Sequence, residues 1–524
     1  MADKSKIRCY LPILIIGVAL STARRAAATD RLFPKMPPAA KVYAVTCARN
    51  SDDSKNTAFA LQGLINQTSA EAFVIDGPMD RQQLEYCGKP YEMLSAFHRN
   101  DSALLDLFQK YQGRVKKMFV FDPAKDWTWD LALMLSAQQQ GIPVSESIKD
   151  DLISQFKWKG EVVDLRNKWP DAIAAYDWAL ANLMPNCNKQ VVFTPRPQYR
   201  IFDYVVASKG FAFWLDFEKP ADQEEIKKIF STPGYGVGTS LMSYASDGDK
   251  ANELANPFGI GYVVTGFNAN GSFWASFPDK TYSQAPGTAV KAEGGKVYVS
   301  LEWSDGSNVS FDQLAIYKLW HDADRGAVPM GTPLSPALRE LNPPLLDWYY
   351  SQMTKNDELD CGPSGIQYIF PKDFNGGMFP AWCELTRQWS GDAAFHNVNI
   401  DLSGLPNEKA NTFMKTCGLS GVFSGIFSIR GTIRNGDIPC IRTYHAGHEE
   451  DLYQDCIKFG QPNSRWPVFV NFDCTVARFN QEGGYSAIKS VVDRLQSAYP
   501  GRYVFLLPKD QFATLLNYHR RNQN

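Results

Sequence analysis

The chain has 524 residues, of which 44% are hydrophobic and 21% charged, so it is long enough for two folded domains. It carries 54 Lys and Arg against 56 Asp and Glu, and basic residues form no run longer than two or three. This balance argues against nucleic acid or an anionic membrane as the main partner, because both require a clustered basic surface.

The first 28 residues have the pattern of a signal peptide. Lys4, Lys6 and Arg8 precede an uncharged, mostly apolar segment from Cys9 to Ala23, and further small residues follow it. Such a segment is short for a spanning helix and is typical of an exported precursor. We therefore expect a secreted or periplasmic protein with no membrane partner after cleavage.

Of the ten cysteines, nine lie beyond this segment. They are scattered and form no CxxC pair, which argues against a structural zinc site. Export permits disulfides, and we expect between zero and a few, with the pairing left open.

Residues 29–228 alternate strand and helix patterns and predict an α/β layered domain. Buried strands are predicted at 42–45 and 72–75, and Leu61, Leu64 and Ile65 lie on one face of the helix between them. Neither common Gly-rich phosphate loop is present, so we predict no nucleotide or other cofactor.

Residues 229–296 differ in composition from the preceding α/β region and are rich in Gly, Ser, Asn and aromatic residues. Examples are "PGYGVGTSLMSYASDGDK" and "GFNANGSFWASF". The composition predicts a connecting region of loops or short β-structure, where functional residues are common.

From residue 297 to 524 short β-rich runs recur, and helical patterns separate several of them. In chain order the runs are VYVSLEW, VPMGTPL, IQYIF, HNVNIDL, GVFSGIF, IPCIRTY, PVFVNFD and YVFLLP. This repetition predicts a C-terminal (β/α) barrel of seven or eight strands, with an open doubly wound sheet as the alternative.

Sites in both architectures form where the strands end. Asp305, Asp401 and Asp473 follow or end three of the runs, and we predict them as catalytic, with Asp305 and Asp473 as the first pair. Two carboxylates facing a sugar supply the acid and the base or nucleophile of glycoside hydrolysis. An Asp after a strand also caps helices or forms turns, and the residues that follow Asp401 and Asp510 favour this alternative for those two.

Other polar and aromatic residues near the same rim are predicted to bind substrate: Trp303, Asn308, Arg325, Gln367, Tyr368, Tyr444 and His445. Gln367 and Tyr368 alternate in a predicted strand, so they point to opposite faces, and Tyr368 is favoured for the pocket. A purely structural role for Tyr368, packed between the barrel and a helix, is an equally good interpretation. Arg325 also fits a helix end. His445 and His448 are spaced like metal ligands, but no HExxH motif supports them and we predict no metal.

Several separated motifs resemble the GxGYxYP family of glycoside hydrolases. They are "LQGLINQ", "KWPDAIAAYDWALANLMPNCNK", "FDYVVASKGFAFWLDF", "VYVSLEWSDGSN", "WHDADRGAVPMGTPLSP" and "PSGIQYIFP". The resemblance implies an N-terminal α/β domain, a C-terminal barrel-like domain and a carbohydrate substrate. Gln367 and Phe370 replace the glycine and a tyrosine of the name-giving motif, and Ser307 replaces the second acid of a DGDN-like motif.

Three functions follow as hypotheses. The first is a glycosidase with paired carboxylates. The second is a metal-dependent polysaccharide deacetylase, in which Asp305, His445 and His448 hold the ion. The third is a glycan-binding protein with a decayed site, which the changes at Ser307 and Gln367 favour.

Overall fold

The computed structural model describes residues 31–523 except 48–49, 98–100, 197–198, 436 and 461–464. The predicted signal peptide, residues 1–28, lies outside the described residues. In the part that is described, no helix has the length and apolarity needed to span a bilayer. The nine described cysteines all have free thiols.

The first of three small parallel sheets in the N-terminal half has the strand order β2-β1-β3. Its strands and helices are β1 (Val42–Thr46), α1 (Asp52–Asn66), β2 (Ala72–Ile75), α2 (Pro78–Tyr86), β3 (Tyr91–Met93) and α3 (Ser102–Tyr111). Helix α1 begins where the Ser51 hydroxyl accepts a hydrogen bond from the backbone of Ser54, and at Gly63 it packs closely on Asp203 and Val206.

The second sheet has the order β5-β4-β6 and repeats the same strand–helix pattern. It comprises β4 (Lys117–Val120), α4 (Asp126–Gln139), β5 (Gly141–Val144), α5 (Glu146–Phe156), β6 (Glu161–Asp164) and α6 (Ala172–Asn182). Together with the first sheet it confirms the predicted α/β layers.

The third sheet, of four parallel strands in the order β10-β9-β7-β8, lies nearest the barrel rim. It comprises β7 (Asn188–Thr194), α7 (Phe202–Ser208), β8 (Gly210–Ala212), α8 (Pro220–Phe230), β9 (Ser240–Ser243), α9 (Gly248–Ala255), β10 (Gly261–Val264) and α10 (Gly271–Trp274). The predicted boundary at residue 228 therefore falls inside one sheet, and the segment 229–296 supplies two of its strands.

The C-terminal part forms a closed barrel of seven parallel strands, which confirms the barrel and not the open sheet. The ring is β11 (Val297–Trp303), β12 (Met330–Leu334), β13 (Asp357–Cys361), β14 (Asn397–Asn399), β15 (Gly421–Phe423), β17 (Ile438–Ala446) and β18 (Val468–Cys474). Strand β16 (Thr432–Arg434) pairs antiparallel with β17, and β19 (Tyr503–Phe505) pairs with β11.

Helices connect and surround these strands. They are α11 (Val309–Phe311), α12 (Tyr317–Leu319), α13 (Leu338–Leu341), α14 (Pro343–Gln352), α15 (Phe379–Asp392), α16 (Asn407–Thr416), α17 (Glu449–Phe459), α18 (Val476–Glu482), α19 (Tyr485–Ala498) and α20 (Pro508–Gln523). A π-helical segment, Asp312–Ile316, joins α11 to α12.

The predicted third barrel strand, IQYIF, is wrong. Residues 366–370 instead cross to the third sheet, where Tyr368 makes an antiparallel bridge with Tyr262. The actual strand, β13, has the sequence DELDC. Two of its alternate residues, Glu358 and Asp360, are buried acids of the barrel interior, so its composition resembles a loop. Residues 362–365, Gly-Pro-Ser-Gly, therefore come directly after the barrel strand β13.

The barrel interior is apolar at the amino ends of its strands. Tyr298 of β11 and Phe469 of β18 stack with ring centroids 5.2 Å apart. Phe512 of α20 packs at 4.4 Å on Phe423, which ends the short strand β15 but pairs with Ile441 in the first half of β17. All four rings belong to one buried cluster. Because this end is filled, the barrel can open only at the carboxyl ends of its strands.

Candidate active site

A cavity of about 590 Å³ lies at the carboxyl ends of the barrel strands. Barrel loops supply one side of it, and the third N-terminal sheet with its loops supplies the other. Its lining includes Tyr244, Asp249, Tyr262, Asp305, Ser307, Asn308, Tyr368, Asp401, His445 and Asp473. The cavity is thus a composite of both halves of the chain.

His445 and Asp473 face each other on neighbouring strands, β17 and β18. His445 Nδ1 lies 2.7 Å from Asp473 Oδ1, and its Nε2 lies 2.9 Å from the hydroxyl of Thr475. The hydrogen bond to Asp473 raises the pKa of His445, although partial burial opposes the shift. The imidazole is therefore held at both nitrogens and fixes one carboxylate oxygen of Asp473.

Asp305 lies in the loop that follows β11, in a left-handed backbone conformation with φ of 64°. Burial raises the pKa of its carboxyl, the charge of Asp473 raises it further, and a hydrogen bond from Ser304 opposes both. The loop packs closely on its neighbour, because a Cβ atom on Gly306 would lie 2.0 Å from the carbonyl oxygen of Pro333. Asp305 itself is exposed to solvent at the cavity wall, so the surrounding protein desolvates its carboxyl only in part.

Asn308 joins the barrel to the third sheet. Its side-chain oxygen caps α11 by accepting from the backbone of Phe311, and its amide donates to the hydroxyl of Tyr244 at 3.1 Å. Its backbone also bridges to Val264 of β10. These contacts fix the two walls of the cavity relative to each other.

Tyr368 lines the cavity, as predicted in preference to Gln367. Burial raises the pKa of its hydroxyl to about 12, and the charges of Asp249, Asp401 and Asp305 add to the shift. The phenol is protonated at neutral pH, as any tyrosine with a pKa of 10 or more is, and can donate a hydrogen bond to a ligand. Asp401 also lines the cavity, but its carboxylate accepts from the backbone of Ser403 at 2.8 Å, as the turn interpretation predicted.

Four residues predicted to bind substrate do not line this cavity. Trp303 is 0% exposed and packs on Phe479 and Tyr485, outside the barrel. It points outward because side chains alternate along β11. Tyr444 also points outward, with its ring 4.8 Å from that of Phe459.

Gln367 and Arg325 are held by structural hydrogen bonds elsewhere. The Gln367 amide donates to Thr239 and Ser240 of the third sheet, at 2.9 and 2.7 Å. Arg325 precedes β12, at the amino end of the barrel, where it forms a 2.6 Å ion pair with Asp357. It also donates to the carbonyl of Gln352, as expected for the alternative of a helix-end residue.

The metal hypothesis required Asp305, His445 and His448 to converge. His448 is instead 2.6 Å from Glu482 and does not line the cavity. Across the described residues, no group of three or more His, Cys, Asp or Glu side chains is arranged to hold a metal ion.

A layer of polar side chains lies below the cavity and was not predicted from the sequence. Glu302, Glu358 and Asp360 are buried inside the barrel, where Asn471 donates to Glu302 at 2.7 Å and Asn397 donates to both other acids. Burial raises the pKa of Asp360 to about 7 and that of Glu302 well above its usual range. The signal was present as alternating polar residues within β11, β13, β14 and β18, but polar residues in a strand ordinarily indicate a solvent face.

Comparison with protein families gives three matches in consecutive parts of the chain. Residues 295–516 match the GxGYxYP putative glycoside hydrolase C-terminal domain. Residues 115–187 match the GxGYxYP_N second domain, and residues 189–276 match the GxGYxYP third domain. The chain belongs to the GxGYxYP family. This confirms the resemblance drawn from the separated motifs.

Among solved structures, a putative hydrolase from Bacteroides thetaiotaomicron VPI-5482 aligns over 93% of this chain and 97% of its own, with 19% identity and a TM-score of 0.77. At this identity the likeness shows the shared fold. A putative polysaccharide deacetylase from Mycobacterium smegmatis aligns over 46% of this chain and 96% of its own, with 8% identity and a TM-score of 0.34. A search of curated proteins finds no match.

Proposed function

We propose that this member of the GxGYxYP family is an exported glycoside hydrolase that acts through Asp305 and Asp473. The observation that carries the proposal is the different environment of the two acids in one cavity. Burial and a like charge raise the pKa of Asp305, whereas Asp473 is hydrogen-bonded to an imidazole. Glycosidases need one carboxyl that is protonated and a second that is ionised.

In this scheme Asp305 is the general acid that protonates the leaving glycosidic oxygen. Asp473 is the base or nucleophile, and His445 is a positioning residue that orients its carboxylate. Tyr368 and Asn308 contact the sugar, and Asp401 contributes to the cavity wall. The protein needs no cofactor in this scheme, and its partner is an oligo- or polysaccharide.

Turnover on a panel of glycans tests the proposal. Asp305→Asn and Asp473→Asn remove the two acids with little change in volume, and Asp493→Asn, on the exposed face of α19, is the matched control. We expect each active-site variant to lose about a hundredfold or more in turnover, and the control to keep it. Full activity in both active-site variants would contradict the assignment.

Export is tested separately by expressing the full chain with a C-terminal tag in a bacterial host. We expect the tagged protein in the periplasm or medium, with its N-terminus near residue 29. A full-length protein that stays in the cytoplasm would contradict export.

The second candidate is a glycan-binding protein without turnover. Ser307 lines the cavity and replaces the second acid of the DGDN-like motif. The missing acid favours binding without turnover. A glycan that raises the melting temperature but is not cleaved, by wild type or by Ser307→Asp, would select this function over the first.

A further inference from the structure

An aromatic strip leads out of the cavity over the third N-terminal sheet. It consists of Tyr244, Tyr199, Phe267 and Trp214, and Tyr244 is also part of the cavity lining. The Tyr199 ring lies 5.4 Å from that of Tyr244, 5.5 Å from that of Phe267 and 6.4 Å from that of Trp214. The strip is therefore continuous with the proposed active site.

Contacts within the third sheet and to the barrel hold the strip in place. The Tyr244 ring lies directly against Gly266, where a Cβ atom would come within 2.1 Å of it. The backbone of Phe267 donates to the hydroxyl of Ser310 at 3.1 Å, and Asn308 donates to the hydroxyl of Tyr244. Because Ser310 and Asn308 belong to the loop and helix that follow Asp305, the strip and the acid have a fixed relative position.

The strip is accessible and carries little net charge. Phe267 is 44% exposed, and Tyr199, Tyr244 and Trp214 are half-buried. At the far end Arg196 lies over the Trp214 ring at 4.2 Å, and Asp126 lies 3.6 Å from the same guanidinium. An exposed apolar surface of this kind, beside a polar cavity, indicates ligand binding.

We propose that the aromatic strip binds the sugar units of a neutral glycan chain that extends out of the cavity. Aromatic faces are negative at the centre and attract the polarised C–H groups of a sugar ring, and the tyrosine hydroxyls offer hydrogen bonds. The substrate is then a chain longer than the cavity holds. The choice of a glycan rests on the proposed function, whereas the position of the strip does not.

Binding is measured with the full chain by affinity electrophoresis in gels that contain β-glucan, xylan, galactomannan or dextran. Di- to hexasaccharides of each polysaccharide that retards the protein are then titrated by calorimetry. The variants are Phe267→Ala and Tyr199→Ala. The control is Trp466→Ala, a 42% exposed aromatic residue before β18, at the opposite end of the barrel.

We expect the hexasaccharide to bind more tightly than the disaccharide, and Phe267→Ala to weaken only the hexasaccharide, by about fivefold to tenfold. Tyr199→Ala should also weaken binding of the hexasaccharide, and Trp466→Ala should leave it unchanged. Equal affinities of wild type and both strip variants for long chains would overturn the proposal, as would failure of every glycan to bind. Loss of long-chain binding without any turnover would support the strip while contradicting the hydrolase.

Discussion

Glu302 and Asp473 occupy paired positions on β11 and β18, the two neighbouring barrel strands. Glu302 is buried, and the charge of Asp473 is one of the causes that raise its pKa, after burial and the charge of Asp360. Asp473 therefore lies between a buried carboxylic acid and the His445 imidazole. The polar interior of the barrel and the cavity above it form one electrostatic unit, since a charge at the rim acts on the acids below.

The buried acids make stability depend on pH. Burial raises the pKa of Asp360 to about 7 in the folded protein, while an unfolded aspartate titrates near ~3.9. Between these values the folded state binds a proton that the unfolded state has released, so the free energy of unfolding falls as pH rises through this window. Asp360→Asn should reduce this fall by on the order of 1 kcal/mol in urea unfolding at pH 5 and 8.

Exposed Asp493→Asn is the control for that experiment, and it should leave the pH dependence unchanged. If the free energy of unfolding falls equally between the two pH values in Asp360→Asn and in wild type, this carboxyl is ionised in the folded protein.

Gly331 provides the space in which two acids meet. A Cβ atom there would lie 2.9 Å from Cγ of Glu302 and 3.0 Å from Oδ2 of Asp360. Gly331→Ala should therefore destabilise the protein by about 1–3 kcal/mol through overpacking. Gly391→Ala, in α15 with nothing within 4 Å, should be neutral or stabilise by up to about 1 kcal/mol. Thermal unfolding compares the two variants. Equal melting temperatures for Gly331→Ala and Gly391→Ala would contradict close packing of Glu302 and Asp360 around Gly331.

His445 should give activity an alkaline limit of its own, in addition to the limit that deprotonation of Asp305 sets. Its pKa is raised by Asp473, so the charged pair is complete below the free value near ~6.5 and is lost as pH rises through the folded value. We expect kcat/KM on a cleaved glycan to fall over that range. His445→Gln should remove this limb and lower kcat about tenfold to a hundredfold, less than the loss of a general acid. An unchanged alkaline limb in this variant would exclude His445 as its source.

Ser307→Asp should shift the pH profile in a defined direction. The new carboxylate adds a negative charge two residues from Asp305, and a like charge raises the pKa of a neighbouring acid. Activity that requires protonated Asp305 should then persist to higher pH. Ser307→Asn has nearly the same shape without the charge and should leave the profile in place. A shift to lower pH, or the same shift in both variants, would contradict the role of Asp305.

Much of the fold follows from the sequence alone. The strand–helix alternation predicted the layers and the barrel, because apolar periodicity records which face of each element is buried. The positions of Asp305, Asp401, His445 and Asp473 at strand ends predicted that they would share a rim, and all four line the cavity. Their catalytic and binding roles remain predictions.

Only the tertiary structure decided the rest. Strand β13 was missed because its buried residues are acids, and a buried acid is recognisable only by the Asn and backbone groups that approach it from other strands. Trp303 and Tyr444 point away from the cavity because one-residue alternation decides which face a side chain takes. The wall with Tyr244 and Tyr262 comes from a segment far from the barrel in sequence. No local pattern encodes that approach, because it depends on how the third sheet packs on the barrel.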